Sequence, residues 1–296
     1  MQEKFPGSEA KATRLGLTAV LMWSTIATAF TLALREVSII TIIFYASLIA
    51  FISLSIILKM QGKLREAFQL GAKSWLSSAL LGFLNPFLYY LILLEAYSLL
   101  PAQEALVLNY LWPVSLTLLS IPLLKQSLKP AGFFYLLISF AGVIVIATRG
   151  DLLNFKLSNW QGDLMAIISS FVWAFYWLMN ARDTREEAPK LLLNFLFGAI
   201  YAFIWGITRG ELSFPEWNGW ASILWIGLFE LGITFYFWMR ALSLSSSTAK
   251  IAQLVYLSPF LSLIFIHLIL GESIYASTFV GLLLILLGIL LNKYRN

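Results

Sequence analysis

The sequence has no cysteine, only one histidine (His267), and just 12% charged residues over its 296 positions. Without cysteine there is no disulfide and no thiolate metal site. A lone histidine with no Cys, Asp or Glu cluster at ligand spacing does not make a metal site either. Scarce charge excludes an ordinary soluble domain, in which about 25% of residues are charged. No polar stretch between the apolar runs exceeds the length of a loop. No phosphate-binding loop, nucleophile elbow or paired acid appears, so no cofactor is expected. An intramembrane enzyme is disfavoured for the same reason, because no nucleophile–base pair can be assembled.

What is present is apolar. Hydrophobic residues make up 60% of the chain, which holds 23 Phe, 12 Tyr and 11 Trp. The composition is that of an all-α polytopic membrane protein. Ten runs have the length of a spanning helix: 15–34, 38–58, 75–98, 101–124, 130–148, 160–180, 190–208, 218–242, 247–270 and 274–292. The first contains Ala27-Thr28-Ala29, which resembles a signal-peptide cleavage site. Its apolar run is too long for a signal peptide, so it is read as a retained helix.

Positive charge sets the orientation. With the N-terminus inside, only Arg35, Arg149, Lys156 and Arg209 of the 20 Lys and Arg fall in outer loops. The bias predicts ten transmembrane helices with both termini cytoplasmic, in the cell inner membrane. The net charge of +5 therefore reflects loops beside membrane lipid and does not point to nucleic acid.

The two halves align on each other. Gly16 matches Gly162, Gly82 matches Gly227, Ala96 matches Ala241, Tyr110 matches Tyr256, Pro113 matches Pro259 and Gly142 matches Gly288. Such a nearly constant offset predicts an internal repeat, residues 1–148 and 149–296. Five helices per half force the second half to enter the membrane upside down. The result is a pair of inverted five-helix repeats, an architecture used by transporters with a site near the midplane.

The centre of the pattern is Asn109-Tyr110-Leu111-Trp112-Pro113. Pro113 cannot donate to the carbonyl of Asn109, so a bend and a freed carbonyl are expected there. Pro259 predicts the same for the carbonyl of Val255, beside Tyr256. In lipid such a carbonyl is tolerated only where it faces protein or a watery cavity.

Several polar and aromatic residues fall at the same depth. Glu230 lies near the middle of the eighth run, where an ionisable side chain is costly and marks a functional position. Helical spacing places Gly227, Glu230, Thr234 and Trp238 on one stripe, and Gly82, Asn85 and Tyr89 on the equivalent one. In the fourth run Glu104, Trp112 and Ser115 share an arc with Asn109 at its edge, while Tyr110 points away. Ser169, Trp173, Tyr176, Trp177 and Asn180 form one face of the sixth run, and Trp23, Ser24, Ala27 and Thr31 one face of the first. Packing or an interfacial belt explains many single aromatics, Trp217 and Trp220 among them. Trp23, Trp112 and Trp173 lie near mid-depth, where a belt does not apply. Glu104 and Lys250 are repeat equivalents one turn inside their helices, placed to snorkel or to gate.

The inverted repeat, the small residues before the mid-helix prolines and Leu270-Gly271-Glu272 resemble the EamA-type branch of the drug/metabolite transporter superfamily. Lys11-Ala12-Thr13, Trp23-Ser24-Thr25, Glu104 with Asn109 to Pro113, and Phe171-Val172-Trp173-Ala174 resemble its bacterial aromatic amino acid exporters. That resemblance implies a substrate cavity lined at Tyr110, Trp112 and Trp173. Many members of the wider family carry an arginine in the second helix, where this chain has Phe44-Tyr45-Ala46-Ser47. Glu230 falls outside the shared pattern.

Together these features predict a secondary transporter exporting small amphipathic metabolites, aromatic or large neutral amino acids first, by alternating access. Trp23, Trp112, Trp173 and Trp177 would hold the apolar part of the substrate. The carbonyls of Asn109 and Val255, with Asn85 and Glu230, would receive its ammonium. Nucleotide sugars and sugar phosphates need cations at mid-depth, and none is found. A second reading makes the chain an exporter of cationic or drug-like compounds, with Glu230 as counter-ion or proton carrier. A passive channel is a third.

Overall fold

The computed structural model describes residues 6–124, 130–152, 159–245, 251 and 253–295, and their regular structure is entirely helical. In chain order the helices are α1 (Pro6–Ser24), α2 (Ile26–Leu34), α3 (Ile39–Met60), α4 (Leu64–Phe68), α5 (Ala72–Gly82), α6 (Tyr89–Leu99), α7 (Ala102–Asn109) and α8 (Trp112–Leu124). They continue with α9 (Pro130–Ala147), α10 (Trp160–Arg182), α11 (Glu187–Arg209), α12 (Trp217–Ile226), α13 (Ile233–Leu244), α14 (Ser258–Phe265) and α15 (Ala276–Arg295). The chain kinks within Phe83–Leu88, wide π-type turns fill Gly227–Gly232 and Ile266–Leu270, and a tight 3₁₀ turn fills Leu254–Leu257.

Counted as continuous rods, seven helical stretches among the described residues are long and apolar enough to cross a membrane. They are Glu9–Leu34, Ile39–Met60, Ala72–Leu99, Ala102–Leu123, Trp160–Arg182, Glu187–Arg209 and Trp217–Leu244. Three shorter apolar helices, Ala131–Ala147, Leu254–Leu270 and Ala276–Leu291, stand where the other three runs were expected. Their exposed faces are apolar too: on α9, Phe133, Phe134, Leu137, Phe140 and Ile144 are all exposed. A water-facing helix would carry polar residues on that face.

Local signals set the helix ends. Ser38 accepts from the Thr41 N–H at 3.2 Å and starts α3, and Asn159 accepts from the Gly162 N–H at 3.2 Å and starts α10. Gly210, at φ 67°, closes α11 in the left-handed conformation that glycine adopts without strain. Glu272 of the Leu-Gly-Glu motif caps α7, accepting from the Ala102 N–H at 3.0 Å. A carboxylate at this end also meets the positive pole of the helix.

The chain forms two compact units, each drawing on two stretches of sequence. Unit 1 comprises Met1–Phe83 and Arg185–Leu270. In it α11 packs on α3 and α5, α13 packs on α1, and the turn at Gly227–Gly232 packs on α3. Its interior is built from Ile40, Ile42, Leu54, Leu192, Leu193 and Phe195, all essentially inaccessible. Unit 2 comprises Leu84–Thr184 and Gly271–Asn296. Here α9 pairs with α15 along most of its length, and α10 packs on α6, α7 and α8. A Cβ on Gly142 would lie 2.5 Å from the Gly281 carbonyl oxygen, so this pair approaches backbone to backbone. Small residues at the seam permit that in the absence of a hydrophobic driving force.

Candidate functional site

In unit 2 the chain breaks twice. Asn85 is extended (φ −148°, ψ 120°), which interrupts the rod from Ala72 to Leu99 just before Pro86. A residue preceding proline is pushed out of the helical region by the ring's Cδ. Asn85 is 1% exposed, and neither its side-chain nitrogen nor its oxygen has a hydrogen-bond partner among the described residues. The second break is at Tyr110–Leu111, where α7 ends and α8 begins at Trp112, directly ahead of Pro113. Tyr110 and Trp112 are both half-buried at this break.

Between the breaks lies an aromatic cluster threaded by neutral hydrogen bonds. The Tyr89 hydroxyl donates to Asn109 Oδ1 at 3.1 Å, and Asn109 Nδ2 donates to Ser169 Oγ at 2.8 Å. The Ser169 hydroxyl in turn donates to the Ala166 carbonyl at 2.7 Å. The Tyr89 and Trp173 rings lie 4.6 Å apart, and Trp173 meets Trp177 at 5.7 Å in a T-shaped contact. Tyr176, fully buried, packs 6.0 Å from Trp173. Tyr89, Asn109, Trp173 and Trp177 thus form one contiguous group.

Unit 1 holds a second group. Trp23 is half-buried, with Phe235 at 5.6 Å and Trp238 at 5.3 Å, and its indole N–H points to the Glu230 carbonyl at 3.4 Å. Glu230 stands in the Gly227–Gly232 turn and is half-buried. A Cβ on Gly227 would lie 2.7 Å from Ile49 Cβ, and one on Gly232 would lie 2.6 Å from Ser53 Oγ. Both glycines let the turn press against α3.

Three expectations change at this level of detail. The regular stripe from Gly227 to Trp238 is not kept, because the π turn inserts a residue and rotates the side chains of α13 relative to Glu230. Thr234 is buried, and its hydroxyl donates to the Phe229 carbonyl five residues back at 2.6 Å. The Val255 carbonyl is not freed: the 3₁₀ turn tightens the chain so that it accepts from the Ser258 N–H. Tyr256 is half-buried in that turn, and the Ser258 hydroxyl lies 3.4 Å from that of Ser24. Glu104 does not snorkel; it is fully buried and accepts from Arg149 Nε at 2.6 Å. That bond raises the pKa of Arg149 above the ordinary guanidinium value. Lys250 lies outside the described residues. No metal-binding group of three or more ligands occurs among the described residues.

Two participants went unread in the sequence. Phe235 joins the group through its ring contact with Trp23 at 5.6 Å, a pairing between distant helices that carries no local signal. Arg149 reaches Glu104 across 45 residues, with no local signal.

The chain as a whole is similar to known proteins. The pattern of the EamA-like transporter family matches residues 11–148 and 160–294. An aromatic amino acid exporter, YddG of Ancylobacter novellus, is 26% identical over 242 residues, 78% of this chain and 79% of that protein. An uncharacterized transporter of Bacillus subtilis, YvbV, is 26% identical over 226 residues, 75% of this chain and 72% of that protein. One of Archaeoglobus fulgidus is 25% identical over 178 residues, 59% and 61% of the two chains. A crystal structure at 22% identity superposes with a TM-score of 0.67 over 96% of this chain and 97% of its own, which shows a shared fold. The chain belongs to the EamA-like transporter family, and it is a multi-pass membrane transporter, not an enzyme.

Proposed function

We propose that the protein is a secondary transporter of the cytoplasmic membrane that exports aromatic or other large neutral amino acids by alternating access. The observation that carries this reading is the unit 2 cluster, in which Tyr89, Trp173 and Trp177 surround a neutral Tyr89–Asn109–Ser169 hydrogen-bond chain. Stacked rings bury an aromatic side chain favourably, and a neutral polar edge fixes its orientation. Tyr110 and Trp112, at the neighbouring helix break, extend the surface. Asn85, buried with its amide unpartnered, and the Asn109 carbonyl supply acceptors for an ammonium group. The likeness to an aromatic amino acid exporter supports the same class.

Ten crossings, both termini inside and two inverted repeats complete the proposal. Support for the repeat comes from packing within unit 1. Gly82 of α5 closes on the Asn194 carbonyl of α11, and its sequence equivalent Gly227 closes on Ala46 and Ile49 of α3. Helix interruptions also recur at Phe83–Leu88 and Gly227–Gly232.

A second reading rests on unit 1. Glu230 stands in the same turn that Trp23 contacts, with Phe235 and Trp238 against Trp23, an arrangement suited to an organic cation. Uptake into inside-out proteoliposomes separates the readings. Saturable transport and counterflow of labelled phenylalanine or tryptophan are expected; transport of an organic cation but of no amino acid would overturn the first reading, and non-saturable flux would indicate a pore.

A further inference from the structure

We propose that the seam between α5 and α11 in unit 1 binds one anionic phospholipid, its phosphate on Arg65 and Lys73 and its acyl chain along a strip of five rings. The rings touch in an unbroken series. Phe68 of α4 lies 6.2 Å from Trp75 of α5, and Trp75 lies 6.0 Å from Phe197 of α11. Phe197 stacks on Tyr201 at 6.3 Å, and Tyr201 meets Phe83 at 5.6 Å. The strip crosses between the helices where Gly82 lets α5 close on the Asn194 carbonyl of α11. Its ends are open: Phe68 and Phe83 are 38% and 41% exposed, and the three rings between them are half-buried. The Tyr201 hydroxyl donates to the Ala79 carbonyl at 3.2 Å, so its hydrogen is already used.

Charge gathers at one end of this strip. Residues 59–83 carry Lys59, Lys63, Arg65 and Lys73 against a single acid, Glu66. Lys63 is taken by Glu186 at 2.8 Å, whereas Arg65 and Lys73 are exposed and form no ion pair among the described residues. Arg65 shares the short helix α4 with Phe68, and Lys73 stands in the first turn of α5 with Trp75. Arg185, half-buried, donates to the Ser74 carbonyl at 3.0 Å and to Ser78 Oγ at 2.9 Å, which fixes a third cation on the same turn. From Trp75 to Phe83, and from Leu191 to Thr208 on α11, no residue is charged. Trp75 and Phe83 are about 12 Å apart along a helix axis, close to the ~15 Å hydrocarbon depth of one leaflet. Fixed rings give an acyl chain many contacts, each weak and together substantial. Basic residues at the edge of an apolar span draw anionic headgroups. A free phosphate ion would use the cations and not the rings, and a neutral lipid would do the reverse. An anionic phospholipid uses both. The site does not depend on which substrate is carried.

The test uses the full-length protein in lipid vesicles. Trp75 reports contact directly: its fluorescence, taken as the difference between the wild-type protein and Trp75→Phe, is quenched by lipids brominated on the acyl chain. Brominated phosphatidylglycerol should be preferred over brominated phosphatidylcholine of the same chains by roughly tenfold or more, because each cation beside an anionic headgroup contributes about fivefold. Arg65→Ser combined with Lys73→Ser, both at exposed positions, should cut that preference by at least about fivefold. Arg209→Ser removes a cation from the other end of α11 and should leave the preference unchanged. Inorganic phosphate, added at constant ionic strength, should not displace the lipid. Equal quenching by the two lipids, a preference that survives the double variant, an equal loss in Arg209→Ser, or displacement by phosphate overturns the site.

Discussion

The aromatic groups of the two units are built from the same ring chemistry but differ in what lies among the rings. In unit 2 the rings of Tyr89, Trp173 and Trp177 accompany a chain of neutral side-chain hydrogen bonds through Asn109 and Ser169. In unit 1 the rings of Trp23, Phe235 and Trp238 accompany a glycine-bounded turn that carries a carboxyl group, Glu230. The first arrangement suits a flat neutral side chain, because nothing in it demands a counter-charge. The second suits a cation. The comparison therefore turns the question of substrate class into a question of which cluster a ligand depends on.

The largest expected effect comes from removing the shared ring of unit 2. Trp173→Ala should weaken binding of an aromatic amino acid at least tenfold, or about 1.4 kcal/mol, measured by titration of the purified protein. Trp173→Phe, which retains a face for stacking, should keep most of the affinity. Equal losses in both variants would mean that Trp173 serves packing alone.

Asn85 comes next, and its effect has the opposite sign on stability. A buried amide with neither atom paired costs roughly 1–3 kcal/mol. Asn85→Leu should therefore raise the thermal midpoint while lowering transport. A lowered midpoint in the unliganded protein would contradict the assignment of Asn85 as a binding group held at a cost.

Breaking the neutral chain should do less. Asn109→Ala removes two hydrogen bonds in a half-buried setting, at about 1 kcal/mol each. The thermal midpoint should fall modestly, and amino acid affinity with it. The smallest effect is expected at Glu230: Glu230→Gln should leave export of neutral amino acids intact. Collapse of amino acid transport in that variant would move the site to the carboxyl group of unit 1.

Much of this arrangement could be read from residues alone, and the exceptions have physical reasons. Apolar runs located the helices because a spanning helix must be apolar over its whole length. Proline marked the break at Tyr110–Leu111, since the missing N–H is written in the sequence. The turn at Gly227–Gly232 carries no proline, and a π turn has no such signature. It shifted Thr234 relative to Glu230, so a stripe drawn at regular helical spacing misplaced that residue. Proline also misled at Pro259, because the tight turn before it gave the Val255 carbonyl a new donor. Glu104 looked like a snorkelling side chain because its partner, Arg149, is distant in sequence. The rings at Trp173 and Trp177 were legible as one face, whereas their link to Tyr89 depended on how α6 packs on α10.

A thermal-shift titration of the purified full-length protein and Trp173→Ala, side by side, with tryptophan, phenylalanine and a series of organic cations decides which cluster holds the substrate. A ligand that binds the folded state raises its midpoint in proportion to its occupancy and affinity. The aromatic amino acids should stabilise the wild-type protein and lose that effect in Trp173→Ala. Stabilisation by the cations alone, abolished in Glu230→Gln and untouched in Trp173→Ala, would contradict the unit 2 site.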